Sequence, residues 1–97
     1  MVEPAEPELL NEFLTCHVHW RRQGGQLERV YQAENPRAAL AKFARIGELA
    51  EAANHHPVVT WSYDQLRILL TTHDVPTGSA LTHRDVKLAQ DIEKVLT

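Results

Sequence analysis

The stretch between Val58 and Leu70 constrains the fold more than any other part of the chain. Apolar residues occupy every second position on both sides of a short link, Asp64-Gln65. They are Val59, Trp61 and Tyr63 before the link and Leu66, Ile68 and Leu70 after it. Alternation with a period of two is typical of strands with one buried face, and a two-residue link joins antiparallel neighbours. The stretch therefore predicts a β-hairpin, which needs other elements to cover its apolar face.

A second, earlier hairpin is predicted in the N-terminal third of the chain. Residues 17–22 and 27–33 each alternate along the sequence, and Gln23-Gly24-Gly25 stands between them. Paired glycines favour the tight turns that connect antiparallel strands. The two hairpins together would supply four strands.

A long helix is predicted between the hairpins. Asn35-Pro36 marks its start, because the asparagine side chain accepts bonds from free N–H groups and proline suits the first helical position. Apolar residues then recur at three- and four-residue spacing over residues 40–50. We expect the helix to end near Asn54, because Pro57 disfavours helical geometry at His56.

Shorter helical patterns stand near both ends of the chain. Residues 9–14 carry apolar side chains on one helical stripe, and Pro7 is placed to begin that helix. Near the C-terminus, Thr82 is a predicted helix cap, and Asp85 three residues later gives a variant capping box. The order of elements is then α-β-β-α-β-β-α.

The length and composition fit one α+β domain. The chain has 97 residues, of which 43% are apolar and 24% charged, as in ordinary globular proteins. We expect residues 1–97 to form a single domain with a four-stranded antiparallel sheet and helices packed on one face. Residues 1–8 are acidic and contain two prolines, so we expect them to form a loose N-terminal arm.

Net charge and cysteine content indicate which partners and which cellular compartment to expect. The net charge is −3 and the sequence has no basic run, so direct nucleic-acid binding is not expected. The lone Cys16 cannot form an internal disulfide, which fits a reducing compartment. The sequence has neither a membrane-spanning apolar run nor a leader pattern. We therefore expect a cytoplasmic protein without membrane partners.

Three of the six histidines lie close to the predicted second hairpin. His55 and His56 precede it and His73 follows it, with Glu51 one helical turn before the doublet. A hairpin returns to the edge at which it began, so the three imidazoles are expected to be neighbours. Imidazole titrates near neutrality, and one member of such a group can donate a proton while another accepts one. Glu51 or Asp85 is placed to orient an imidazole and select its tautomer.

A metal site is the main chemical alternative, since three histidines and an acid can bind zinc. Adjacent residues in extended backbone point to opposite sides, however, which makes His55-His56 awkward ligands for one ion. The two-histidine helical spacing of metalloproteases is also absent from the sequence. Acid–base chemistry is therefore favoured over a metal centre, and we predict no metal.

The spacing of these residues resembles the signature of the pterin-4a-carbinolamine dehydratases. The matching pattern is Glu51-x3-His55-His56-Pro57-x5-Tyr63-x9-His73-x11-Asp85. Further similarity covers nearly the whole chain and includes Trp20, Leu27, Tyr31, Phe43, Leu81-Thr82 and Leu88-Ala89. The combined pattern is specific, because each residue type keeps its spacing.

The resemblance implies dehydration of 4a-hydroxytetrahydropterin to quinonoid dihydropterin, the recycling step after an aromatic amino acid hydroxylase. It implies His55 and His73 as the acid–base pair, with His56 holding the pterin and contributing to the chemistry. The implied substrate-binding residues are His55, His56, Pro57, Thr72, His73 and Asp74, and the implied supporting carboxylates are Glu51 and Asp85. No cofactor is implied, because the pterin is the substrate. Members of this family are similar in forming dimers or tetramers.

The sequence departs from the family pattern beside the expected pocket. Residues 74–80 are longer than the usual tight turn, and Ala80 stands where a glycine commonly precedes the leucine. A non-catalytic binding module with this fold, either an assembly factor or a transcriptional coactivator with an unknown protein partner, is the alternative function. A dehydratase acting on another pterin, in the molybdenum-cofactor or folate branch, is a third possibility with similar proton chemistry.

Overall fold

The order of elements in the structure is the α-β-β-α-β-β-α order predicted from the sequence. A computed structural model describes residues 2–97. The helices are α1 (Pro7–Cys16), α2 (Pro36–Ala53) and α3 (His83–Leu96). The strands are β1 (Trp20–Gln23), β2 (Gln26–Gln32), β3 (Val58–Ser62) and β4 (Gln65–Leu70). The fold class is therefore confirmed as α+β.

The four strands form one antiparallel sheet with the spatial order β1-β2-β4-β3. The β3–β4 hairpin pairs Val58 with Leu69 and Ser62 with Gln65. Its two-residue link is Tyr63-Asp64, one residue earlier than predicted, and Tyr63 adopts a left-handed φ of 53°. A left-handed first position is what a tight hairpin turn requires, and this conformation removes Tyr63 from the strand.

The first hairpin begins later than predicted. Residues 17–19 do not belong to β1, because His17 completes the C-terminal turn of α1. Its backbone N–H and its Nδ1 each lie 2.9 Å from the Phe13 carbonyl oxygen, and its ring stacks on Phe13 at 4.4 Å. The strand therefore starts at Trp20, whose N–H bonds to the His17 carbonyl.

The helices cover one face of the sheet, and the core lies between them. Leu66, Ile68 and Leu70 on β4 are fully buried, whereas the intervening Arg67 is exposed. Ile46 on α2 and Ile92 on α3 are fully buried in the same cluster. Each such side chain contributes about 1.5–3 kcal/mol through burial. The alternation in β4 thus corresponds to one packed face and one open face, whereas the apolar face predicted for β3 is not buried, since Trp61 is 42% and Tyr63 75% exposed.

The N-terminal arm is shorter than predicted and is bound to the rest of the molecule. Pro7 is the first residue of α1, so the extended segment covers only residues 2–6. Its Val2 N–H bonds to the Asp74 carbonyl and its Ala5 N–H to the Leu81 carbonyl, each at 2.8 Å. Met1 lies outside the described residues. The arm therefore lies along the loop that follows β4.

Between residues 2 and 97, none of the helices has both the length and the apolar character needed to cross a membrane.

Candidate active site

The carboxylate of Asp85 is the centre of the only buried polar cluster that joins the ends of α2, β4 and α3 within the described chain. The Asp85 side chain is fully buried. Its Oδ1 accepts a bond from His55 Nε2 at 2.6 Å. Its Oδ2 accepts bonds from Thr72 Oγ1 at 2.7 Å and from the Thr82 N–H at 2.9 Å. The bond to Thr82 completes the capping box of α3, as predicted.

Two threonine hydroxyls fix the direction of hydrogen bonding around this carboxylate. Thr72 Oγ1 has a single hydrogen, which it donates to Asp85. It lies 2.8 Å from Thr82 Oγ1, so Thr82 must be the donor in that contact. Thr82 Oγ1 in turn accepts from the Arg84 N–H at 3.2 Å. Three hydrogen bonds thus end on the Asp85 carboxylate, and the Thr82 hydroxyl and the Arg84 N–H continue the same chain of donors behind Thr72.

His55 is held by its Nε2 edge and is accessible at its Nδ1 edge. The Nε2 hydrogen points at Asp85, which leaves Nδ1 as the lone-pair nitrogen of the neutral ring. Nδ1 forms no hydrogen bond with residues 2–97, and no buried side-chain nitrogen or oxygen in that range lacks a partner. Nδ1 therefore reaches accessible space. The arrangement is that of an oriented proton acceptor.

The end of α2 explains how His55 reaches the start of α3. Asn54 adopts a left-handed conformation with φ 50° and ψ 43°. The Asn54 and His55 N–H groups bond back to the last carbonyls of α2, including that of Ala50. This closure reverses the chain within one residue, as left-handed helix caps do. Asparagine tolerates this conformation better than most residues.

Glu51 contacts His56 rather than His55. The expectation that Glu51 lies beside His55 was based on a continuous helix, and the left-handed turn at Asn54 swings His55 away. Glu51 Oε2 instead pairs with His56 Nε2. Both side chains are largely exposed, at 78% and 56%, and exposed pairs of this kind contribute about 0–1 kcal/mol. The two carboxylates predicted as supports therefore serve different histidines.

The remaining predicted residues lie near the end of β4 and the start of β3. Pro57 is half-buried immediately before β3, and Thr72 is buried in the Asp85 cluster. His73 and Asp74 are exposed on the following loop. The His73 side chain forms no hydrogen bond or ion pair within residues 2–97. Nor does that range contain three histidine, cysteine or acidic side chains placed to hold a metal ion.

The sequence predicted Thr82 only as a helix cap and did not predict the contact of its hydroxyl with Thr72. It also did not predict three residues that lie beside His55. A groove of about 390 Å³ runs between α2 and α3, and His55 forms part of its wall. His83, Arg84 and Lys87 line the same groove. Arg84 and Lys87 follow His83 by one and four positions, which places all three on one side of a helix. This spacing was the sequence signal that could have identified them.

Two carboxylates, Glu28 and Glu93, form ion pairs with arginines of the sheet that carries the site. Glu28 on the open face accepts bonds from Arg21 and from Arg67, and these bonds, that from Arg21 foremost, lower its pKa. Glu93 on α3 accepts bonds from Arg29 and Trp20 at 2.9 and 2.8 Å. Burial raises the pKa of Glu93, but the bonds from Arg29 and Trp20 outweigh burial and leave this pKa lowered. Both carboxylates are thus stabilised in their charged forms.

Comparison with known proteins identifies one family. The sequence model of the family described as pterin 4 alpha carbinolamine dehydratase matches residues 3–95. A protein of Thermomicrobium roseum with the provisional name pterin-4-alpha-carbinolamine dehydratase is 42% identical over 76 residues, which cover 78% of each chain. A protein of Acidobacterium capsulatum with the same provisional name is 37% identical over 90 residues, covering 93% of this chain and 95% of the relative.

A solved structure from Brucella melitensis, described as a transcriptional coactivator/pterin dehydratase, has the same fold. It superposes with a TM-score of 0.87 and covers 98% of this chain and 100% of its own. At 21% sequence identity, this similarity establishes the architecture alone.

Proposed function

Because the chain belongs to the pterin 4 alpha carbinolamine dehydratase family, we propose that it eliminates water from 4a-hydroxytetrahydropterin to give quinonoid dihydropterin. The observation that carries this proposal is the buried Asp85–His55 couple, in which His55 keeps an accessible lone pair. The reaction needs a group that accepts a proton from nitrogen and a group that helps hydroxide to leave. It needs no oxidant or reductant, and we propose that it needs no metal or cofactor.

His55 is the proposed base. Asp85 Oδ1, 2.6 Å from His55 Nε2, accepts the Nε2 hydrogen and stabilises the imidazolium that forms when Nδ1 takes a proton. The electron pair of the pterin N–H bond forms the new C=N bond, and the bond from carbon 4a to oxygen breaks. Burial of Asp85 strengthens the stabilisation, because charges interact more strongly away from water.

His73 is the proposed acid. It donates a proton to the departing hydroxyl, which leaves as water, so the protons balance. His73 is exposed immediately after Thr72, whose hydroxyl is bound to the same Asp85 carboxylate as His55. His56, paired with Glu51, is proposed to hold the pterin. Pro57, Thr72 and Asp74 complete the proposed substrate-binding set.

The proposal includes a homodimer or homotetramer in the cytoplasm. β3 is an edge strand of the sheet, and its Val58 and Trp61 side chains are 63% and 42% exposed. An exposed edge strand with apolar side chains favours pairing with another strand. A second copy of the chain supplies such a strand through two-fold symmetry.

The test is the dehydration of freshly generated 4a-hydroxytetrahydropterin, followed by ultraviolet absorbance. The protein should exceed the spontaneous rate, and His73→Gln should lower that acceleration by about 10²-fold or more, as expected for loss of a general acid. His19→Gln is the matched control, because His19 is exposed beside β1 and outside the proposed site. Absence of any acceleration by folded wild-type protein would contradict the proposal and would favour a non-catalytic binding role.

A further inference from the structure

The groove between α2 and α3 is a feature that the proposed proton chemistry leaves without a role. Its volume of about 390 Å³ lies within the usual range for small-molecule sites. Its apolar part is formed by Leu49, Ala52, Ala53 and Leu88. His55 lines the same groove, so a molecule bound there lies against the proposed base.

One of the two cationic residues that line the groove has no partner within residues 2–97. Lys87 and Asp91 both line the groove, and Lys87 Nζ lies 2.9 and 3.0 Å from the two Asp91 oxygens. These two charges compensate each other. Arg84 also lines the groove, and within residues 2–97 its guanidinium forms neither an ion pair nor a hydrogen bond. The groove thus combines an apolar surface with one free guanidinium.

We propose that this groove binds a negatively charged side chain of the pterin substrate, with Arg84 as the principal contact. The inference rests on the proposed dehydratase function and narrows its substrate to pterins with an anionic substituent. With the reacting ring at His55, a substituent that follows the groove passes the apolar residues Leu49 and Leu88. Its charged end then meets Arg84, and a guanidinium binds a phosphate or carboxylate through two parallel hydrogen bonds.

The charge pattern favours this occupant over a neutral side chain. Neutral hydroxyl groups would leave the guanidinium without a counter-charge and would gain little from the apolar surface. A phosphate ester on a short carbon chain matches both parts of the groove. The second cation, Lys87, can turn from Asp91 toward the same anion, because its side chain is 68% exposed.

The test compares two 4a-hydroxytetrahydropterins that differ only in a phosphate ester at the end of the side chain. Wild-type protein should show a kcat/KM about tenfold higher or more for the phosphorylated substrate. One hydrogen bond to a charged group typically strengthens binding by about this factor or more. Arg84→Met should bring the ratio of the two kcat/KM values close to one. Arg37→Met is the matched control, because it removes the same charge at the opposite end of α2 and should leave the ratio unchanged.

Equal kcat/KM values for the two substrates in wild-type protein would overturn the inference. So would a preference that Arg37→Met lowers as much as Arg84→Met, since net charge alone would then explain it. The addition of inorganic phosphate to the assay of the neutral pterin provides a further test. If it alters turnover of the neutral pterin through Arg84 while the phosphorylated pterin has no advantage, the groove binds a free anion and the substrate assignment is wrong.

Binding of oxidised, fluorescent pterins separates this inference from the proposed function. Titrations with the phosphorylated and unphosphorylated compounds measure recognition without turnover. Tighter binding of the phosphorylated compound that depends on Arg84, in a protein without dehydratase activity, would support the groove and refute the reaction. Dehydratase activity together with equal binding of both compounds would support the reaction and refute the inference about the groove.

Discussion

Replacing Asp85 with asparagine should abolish most catalysis while the protein remains folded. Asp85 Oδ2 accepts both threonine bonds, and Oδ1 accepts only the bond from His55. The asparagine oxygen can take the place of Oδ2 and keep both threonine bonds. The amide NH₂ group then faces His55 Nε2, which must become an acceptor, and the hydrogen of the neutral ring moves to Nδ1. The proposed base would thus lose its lone pair.

The expected size of this effect follows from the same contacts. Loss of an oriented general base lowers the rate by about 10²–10⁴-fold, and the wrong tautomer in catalytic triads costs about 10⁴-fold. The two threonine bonds then end on a neutral oxygen, and the bond with His55 becomes one between the amide NH₂ and a neutral ring nitrogen, so we expect a stability loss of about 1–3 kcal/mol. For a chain of this length that corresponds to a decrease in Tm of roughly 4–8 °C per kcal/mol.

Two assays check this prediction, dehydration kinetics and urea unfolding, with Asp64→Asn as the matched control. The Asp64 side chain forms no hydrogen bond within residues 2–97, although its backbone carbonyl does. The control should keep near wild-type activity. If Asp85→Asn retains activity within about threefold of wild type, the assignment of Asp85 as the group that sets the His55 tautomer is refuted.

Three further predictions concern the elements that hold the site. Asn54→Ala should destabilise the protein by about 1–2 kcal/mol, because alanine is strained in a left-handed conformation, whereas Asn54→Gly should cost less; urea unfolding of both variants measures the difference, and equal losses would exclude strain as the cause. The lowered pKa of Glu28 means that its ionised form stabilises the fold above about pH 4.5, and that this contribution is lost as the pH falls through the lowered value. Glu28→Gln should therefore be destabilised at pH 7, and its difference from wild type should shrink at pH 3; a difference independent of pH would contradict the linkage. Val58→Lys on β3 should shift the protein toward monomer in sedimentation velocity, and an unchanged sedimentation coefficient would place any interface elsewhere.

The elements with strong local signals were predictable from the sequence. Asn35 caps α2 by accepting from the Ala38 N–H at 2.8 Å, and Thr82 with Asp85 forms the predicted capping box. These features depend on residues only three positions apart. The hairpin was also predictable, because alternation in β4 reports directly on which face is buried.

The details that differ depend on contacts between distant residues or on single dihedral angles. The left-handed turn at Asn54 decides which histidine Glu51 meets, and a helical spacing rule does not anticipate it. The bond between His55 and Asp85 joins residues 30 positions apart. Sequence spacing suggested that either carboxylate would orient an imidazole, and only the three-dimensional arrangement selects Asp85 for His55.

The dehydration rate of His55→Gln tests the central claim most directly. The glutamine NH₂ group can still donate to Asp85, so the buried cluster keeps its hydrogen bonds while the accepting nitrogen is removed. We predict that the variant remains folded and that kcat falls by about 10²–10⁴-fold. A folded variant whose kcat stays within about threefold of wild type would show that His55 is not the base.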